Sequence, residues 1–301
     1  MLPALLVDSI IRRKARLHET PLDRYRVCVA HTVQDYEDAF KLLHVAYVFQ
    51  GIEMIRGVDM RITPQHVLPE STVFVAMEGD MIVGTLTVTI DSPAGLPLDK
   101  DYPERLGQLR SEGARIVEFG SLAIVRRCWH TGVATLLNMA AYRFSYYFLK
   151  ATHTTVGVNP KAMPFYRAVY NFHPLGGSKE HAELQAPVIG LVQDMREVQD
   201  FMRKHFDKPF ADGTSVLDRY TISPPPCIEL PESIAPEELP RWKMPRAVFQ
   251  ELFMVKSNRI DSLDPDAKEY LRKCRSRETL SLQGGAGLTK ADLEMAANKR
   301  D

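Results

Sequence analysis

One carboxylate, Glu118, stands inside an otherwise apolar run, Ile116-Val117-Glu118-Phe119, and is the side chain of this chain best suited to acid–base chemistry. An acid placed mid-strand among apolar neighbours loses solvation, so its pKa is expected to rise toward neutrality. A base of that strength can deprotonate a substrate ammonium. The plainer alternative is a glutamate on a solvent-facing sheet face. After the strand and a short loop, Gly132-Val133-Ala134 opens a helix. Unpaired N–H groups at such a helix start suit a pyrophosphate or phosphodiester, and tight packing of small residues is the alternative there.

The elements that must hold these groups follow from periodicity. Residues Tyr25 to Ala30 alternate as a short strand, and Asp35 to Gln50 carry Tyr36, Ala39, Phe40, Leu43 and Tyr47 at helical spacing. Residues Gly51 to Pro69 are irregular and are expected to form a substrate-proximal lid. Thr72 to Met77 and Met81 to Ile90 make a hairpin across Glu78-Gly79-Asp80, and Asp91 to Gly113 is a polar excursion. The Glu118 strand comes next, then a helix from Val133 to Lys150 whose buried stripe is Leu137, Ala141, Phe144 and Phe148. A strand at Thr154 to Val158, a helix at Met163 to Tyr170, a strand at Val188 to Met195 and a helix near Val198 to His205 complete the unit, which ends close to Pro209.

The rest divides by composition. Residues 1–24 read as an N-terminal helix, 25–209 as the domain carrying the chemistry, 210–245 as a proline-rich extended connector and 246–301 as a helical extension. In the extension, helices are expected at Arg246 to Lys256, at Asp264 to Cys274 with Asp264 as cap, and after Thr289. Every element suited to chemistry precedes Pro209, so residues 1–209 are expected to fold and act alone. Val248, Leu252, Phe253 and Val255 nevertheless form an apolar face that must be covered somewhere.

Composition excludes several classes. Of 301 residues, 38 are Lys or Arg and 38 Asp or Glu, so no global field favours nucleic acid or an anionic membrane. Cys28, Cys128, Cys227 and Cys274 form no C-x-x-C pair and read as reduced thiols of a cytoplasmic protein. The histidines show no metal spacing, so no metal is expected, and His130 reads as structural. The basic run Arg12-Arg13-Lys14 follows the N-terminal apolar residues rather than preceding them, which argues against a signal peptide. Leu5, Leu6, Ile10 and Ile11 ahead of those bases would also suit peripheral contact with a membrane, although a helix packed on its own domain is the preferred reading.

The order strand, anion loop, helix, strand and Asn159-Pro160-Lys161-Ala162-Met163-Pro164-Phe165-Tyr166 resembles the core of the GNAT acyltransferases. Within that class the chain is most similar to the long-chain N-acyl amino acid synthases, relatives of the acyl-homoserine lactone synthases. The likeness rests on Ala39-Phe40-Lys41-Leu42, on Val83 to Asp99, on Ala114 to Ile124 and on Pro164 to Val169. Asp91-Ser92-Pro93-Ala94-Gly95-Leu96-Pro97-Leu98-Asp99 is the specific part, because ordinary acetyltransferases lack it. The resemblance implies an α/β fold with a GNAT-like mixed, mostly antiparallel twisted sheet flanked by helices, followed by the helical extension. It also implies an enzyme that joins a long acyl chain, delivered on acyl carrier protein, to the amine of an amino acid, with no tightly bound cofactor.

Site roles follow from the same resemblance. Glu118 is the base, and Tyr166 is either the acid that protonates the departing thiolate or a core residue with a satisfied hydroxyl. Leu122, Ala123, Ile124 and Val125 pair with the amide-rich pantetheine arm, and Gly132, Val133 and Ala134 bind its phosphate, with Arg127 and Asn159 nearby. Phe49, Arg56 and Arg61 line the substrate side, an arginine being suited to the amino acid carboxylate. Arg126, Arg127, Arg143, Lys161 and Arg167 surround the mouth, where an acidic carrier protein would dock. Two positions depart from the broad GNAT pattern. Trp129 stands where the phosphate loop has Gln or Arg, which favours a carrier-protein phosphopantetheine over coenzyme A, and Asn171-Phe172 replaces Gly-Phe after the helix. No serine or cysteine has a recognisable histidine partner, which argues for direct attack without an acyl-enzyme. The rival readings are an acetyl-CoA-dependent N-acetyltransferase and a catalytically silent GNAT-like module that binds lipid or a partner.

Overall fold

The computed structural model describes residues 4–49, 51, 59–181, 186–206, 208–221, 223–230, 244–257, 259–263 and 265–283. Its strands are β1 (Arg26–Val29), β2 (Ser71–Glu78), β3 (Met81–Ile90), β4 (Ile116–Ile124), β5 (His153–Val158), β6 (His173–Pro174), β7 (Lys179–His181) and β8 (Ala186–Asp194). They form one sheet in the order β1-β2-β3-β4-β5-β8-β6, with β7 on β8. Every pairing is antiparallel except β4 with β5. This is the mixed, mostly antiparallel sheet that the resemblance implies.

Helix α4 (Val133–Arg143) covers one face of the sheet. Leu136, Leu137 and Ala140 pack with Leu86, Val88, Val117 and Phe119 in the main core. Its N-terminus is set by Gly132, whose φ of 90° is left-handed; a Cβ there would lie 2.6 Å from Thr20 Cγ2, so no larger residue fits. The expected single stripe is too narrow. α7 (Val216–Thr221) packs on the outer side of α4, so Met139 and Tyr142 are buried as well.

The opposite face is covered in two parts. α2 (Val33–Phe49) lays Tyr36, Ala39 and Phe40 on Val73 and Val75. Residues 91–112, expected to be a polar excursion, instead carry a 3-10 turn (Pro97–Lys100) and α3 (Pro103–Ser111), whose Leu98, Tyr102 and Leu106 pack against Ile116. Polar periodicity hides this segment because its stability is ionic as well as apolar. Arg110 holds Asp91 at 2.7 and 2.8 Å and Asp99 at 2.7 and 2.6 Å, closing the loop on itself.

The remaining helices are α1 (Ala4–Ala15), α5 (Met163–Tyr170), α6 (Val198–His205), α8 (Arg246–Phe249), which continues as a π turn (Gln250–Val255), and α9 (Pro265–Gln283). The boundary expected at Pro209 is not a break in packing. Phe210, Val216, Tyr220 and Ile228 are buried in the main core. Val27 donates to the Cys227 carbonyl at 2.7 Å and Glu229 donates to the Val27 carbonyl at 2.8 Å, adding a parallel bridge to the β1 edge. Val248, Phe249, Leu252 and Phe253 cover Tyr36 and Phe40 of α2. Pro231, Pro236, Pro240, the Asp264 cap, the helix expected after Thr289 and residues 52–58 of the expected lid lie outside the described residues.

Candidate active site

The sheet is split at its parallel pair. β4 and β5 pair from Ile116 opposite His153 to Phe119 opposite Val156, and no further. Beyond that point β4 bulges: Gly120 faces Thr87 and Ala123 faces Thr85, so Ser121 and Leu122 together oppose Leu86. Ser121 takes a φ of 52°, a left-handed conformation that costs energy for a residue with a Cβ. The bend swings β4 off β5 and opens a cavity of about 280 Å³. Leu86, Phe119, Val156 and Val158 give it apolar walls, and Tyr47, Ser121, Asn138, Asn159 and Tyr166 give it polar groups.

Glu118 lies one residue before the split, on the face away from α4. It is 4 % exposed, and its Oε2 accepts the Leu98 N–H at 3.0 Å. Thr89 of β3 and Thr155 of β5 sit directly opposite it on the neighbouring strands, so the carboxylate belongs to a buried polar row. Burial pushes its pKa up to about 8; the Leu98 N–H works against that shift, and Asp99 and Asp101 add to it. The carboxylate is not itself on the cavity wall; its neighbour Phe119 is.

A second polar pair stands at the cavity. His66 Nε2 lies 3.2 Å from Ser121 Oγ and 3.1 Å from Thr87 Oγ1. The backbone N–H of Thr63, which can only donate, reaches His66 Nδ1 at 3.0 Å. Nδ1 is therefore the bare nitrogen and Nε2 carries the proton. Burial, with the Arg61 charge, holds the imidazole down at about 3, so it is neutral. Ser121 thus has the histidine partner that the sequence does not reveal, yet the imidazole donates to the hydroxyl and cannot deprotonate it. The geometry fits an orienting donor rather than a nucleophile–base pair. Gly120 inside a strand is the one sequence signal of the bulge. His66 lies far away in irregular chain and gives none.

The remaining candidates fall in different places. Val125 donates to the Val83 carbonyl, so by strand alternation the polar groups of Ile124 point toward the split. There the Ile124 carbonyl accepts the Trp129 indole N–H at 3.0 Å, leaving one acceptor fewer on that edge. Leu122 lines the cavity. Gly132, Val133 and Ala134 begin α4 as expected, with Val133 buried. Asn159 lines the cavity while its Oδ1 accepts the Lys161 N–H at 3.0 Å. Tyr166 lines it too, and burial pushes its phenol up to about 12. Phe49 stands outside the cavity, edge-on to Trp129 at 5.7 Å and under the Arg126 guanidinium. Arg61 lies 4.3 Å over the ring of Tyr47. Arg56 lies outside the described residues. Of the basic residues expected around the mouth, none lines the cavity: Arg127 is paired with Glu78, Arg167 with Asp8, and Arg143 reaches the Tyr220 carbonyl, while Arg126 and Lys161 are exposed. Among the described residues, no group of three or more His, Cys, Asp or Glu could hold a metal ion.

The family model for N-acyl amino acid synthase FeeM matches residues 38–194, which span the split sheet, Glu118 and Tyr166. The chain belongs to this family. It is an acyltransferase that acts on nitrogen. The structure of FeeM, an N-acyl amino acid synthase from uncultured soil microbes, has 22 % identity and a TM-score of 0.51, covering 59 % of this chain and 94 % of that one. A CoA-dependent acyl-homoserine lactone synthase, BjaI, with SAM and isopentyl-CoA, has 16 % identity and a TM-score of 0.47 over 72 % of this chain and 98 % of its own. An acetyltransferase of the GNAT family from Streptococcus pneumoniae has 15 % identity and a TM-score of 0.40 over 56 % of this chain and 99 % of its own. No curated protein sequence matches. In this family member the split sheet offers an apolar slot with polar groups at its edge.

Proposed function

We propose that this protein moves a long acyl chain from the phosphopantetheine thioester of acyl carrier protein to the amine of an amino acid. The observation that carries this reading is the cavity between β4 and β5, apolar along Leu86, Phe119, Val156 and Val158 and polar at Ser121, Asn159 and Tyr166. The pantetheine arm adds to the free edge of β4 at Leu122 to Val125, and its phosphate sits at Gly132 to Ala134. Glu118, through a water, takes a proton from the substrate ammonium. The free amine attacks the thioester carbon, and β4 N–H groups with the Ser121 hydroxyl, oriented by His66, stabilise the oxyanion. As the carbon–sulfur bond breaks, Tyr166 protonates the thiolate and regains a proton from the attacking nitrogen. Arg61 at Tyr47 and Arg56 supply positive charge for the amino acid carboxylate. Trp129, bound to the Ile124 carbonyl where the broader class has a phosphate anchor, favours a carrier-protein donor over coenzyme A.

The test is reconstitution of the full chain with acyl carrier protein or coenzyme A carrying acyl chains of several lengths, a mixture of amino acids, and mass spectrometry of the products. N-acyl amino acids formed faster from long-chain carrier protein are expected. Transfer of acetyl groups from acetyl-CoA alone would replace this reading with that of a short-chain acetyltransferase.

A further inference from the structure

Outside the candidate site, the outer side of α1 is an unusual surface. Its inner side is well tied down: Asp8 pairs with Arg167 of α5 at 2.7 Å, Arg12 reaches the Ala168 carbonyl, and Ile11 and Ala15 pack on the main core. The outward side keeps large apolar residues in water, with Leu5 81 %, Leu6 47 % and Ile10 40 % exposed. A helix held only for packing on its domain would place polar residues there.

Beside this face lies a cleft of about 230 Å³, formed by Ser9, Arg12 and Arg13 of α1, by Leu17 and His18, and by His205, Phe206, Lys208 and Val216. Its ionisable lining is entirely basic. Of the nearby acids, Asp8 is engaged with Arg167, and Glu19 pairs with Arg16 and with His18 at the cleft's edge, which leaves Arg12, Arg13 and Lys208 as its cationic lining. Leu5, Ser9 and Arg13 follow one another at helical spacing on the outer side, with Arg12 at its inner border. The exposed apolar residues therefore run beside the cationic cleft, from Leu5, about 10 Å along the helix axis from Arg12, to Ile10 level with it.

We propose that α1 and this cleft form a docking site for an anionic lipid surface, with the phosphate of a headgroup in the cleft and Leu5, Leu6 and Ile10 in the interface beside it. Apolar side chains on one flank with arginines and a lysine reaching headgroup level beside them is the arrangement of an interfacial helix. With 38 basic and 38 acidic residues, attraction must come from this local cluster and not from net charge. The occupant is a membrane rather than an acidic protein because the apolar part is a convex helix side, not a groove that would receive a partner helix.

The experiment is co-flotation of the full chain with phosphatidylcholine vesicles, with and without phosphatidylglycerol, at low and high salt. Binding is expected only to the anionic vesicles, falling as salt rises. Arg13→Glu with Lys208→Glu should abolish it. Leu5→Ser with Leu6→Ser should weaken it by roughly ten-fold or more while leaving the circular dichroism spectrum unchanged. Failure of the unaltered chain to bind anionic vesicles, equal binding to neutral ones, or binding indifferent to both double variants overturns the proposal. So does a change in oligomeric mass in the leucine variant with vesicle binding intact, which would make this face a contact between copies. The outcome does not depend on the acyl-transfer reading, because vesicle binding is measured without substrate.

Discussion

At the residue scale, chemistry depends on which proton each buried group holds. A glutamate with its pKa pushed up to about 8 is protonated in much of the free enzyme at neutral pH. Activity that needs the carboxylate should therefore rise with pH through about 8, and Glu118→Gln should remove both the activity and that limb. The same shift has an opposite consequence for stability. The unfolded glutamate ionises near 4.5 and the folded one near 8, so between those values folding must take up a proton and stability falls as pH rises. Thermal melts of Glu118→Gln should match the parent near pH 4 and exceed it at pH 8. Equal melting at both would show that Glu118 is not desolvated. Ser121 gives a second prediction. Its hydroxyl lines the cavity and lies beside the His66 Nε2–H, which it shares with Thr87, so if it donates to the oxyanion Ser121→Ala should lower kcat by roughly ten- to a hundred-fold with little change in KM. His66→Gln, which keeps a donor near Nε2, should retain more activity than His66→Phe; the reverse order would show the pair to be packing alone.

At the element scale, what the sequence revealed and what it concealed divide along lines of contact. Strand alternation and the 3.6 period suffice for α5 and α6, whose bounds the structure reproduces at Met163–Tyr170 and Val198–His205. Glu118 announces itself because a charge in an apolar run is costly. His66 and Asn138 stayed hidden, since their roles come from non-local contacts that no local pattern records. The segment after β3 was legible as a motif but not as structure. Its two aspartates converge on Arg110, from a different turn of chain, and that convergence, with the packing of Leu98 and Leu106 on Ile116, brings the Leu98 N–H onto Glu118. Arg110→Ala should cost about 1–3 kcal/mol, less than a fully buried network would, because the guanidinium is about one-third exposed. It should also move the activity limb to lower pH. Losing the Leu98 N–H alone would raise the Glu118 pKa, but burial is the larger cause of its shift, and a loosened cover readmits water. An unchanged pH profile in this variant would mean that the segment does not control the carboxylate.

At the scale of the whole molecule, the elements after Pro209 belong to the fold that carries the site. Removing them strips Phe210, Val216, Tyr220 and Ile228 from the main core and uncovers Tyr36 and Phe40 of α2. Residues 1–209 expressed alone should therefore aggregate, or show a loosened tertiary signal with the far-ultraviolet spectrum largely kept. Soluble, active residues 1–209 would show the later elements to be dispensable. Composition alone conceals this, because a proline-rich stretch reads as a linker whether or not short apolar anchors between the prolines reach a core. Tyr102, in the segment that covers Glu118, shows how far such dependence runs. Its hydroxyl donates to the Gly177 carbonyl at 2.7 Å and accepts the Gly190 N–H at 3.0 Å, and its ring fills the space a Cβ on Gly190 would need. Gly190 lies in β8, which joins the sheet only by pairing with β5. The cover over Glu118 thus cannot reach its final seat before β8 has been made. It must wait for a strand some ninety residues downstream. Until then the cover lacks the two hydrogen bonds that seat Tyr102, and the burial that raises the Glu118 pKa is incomplete.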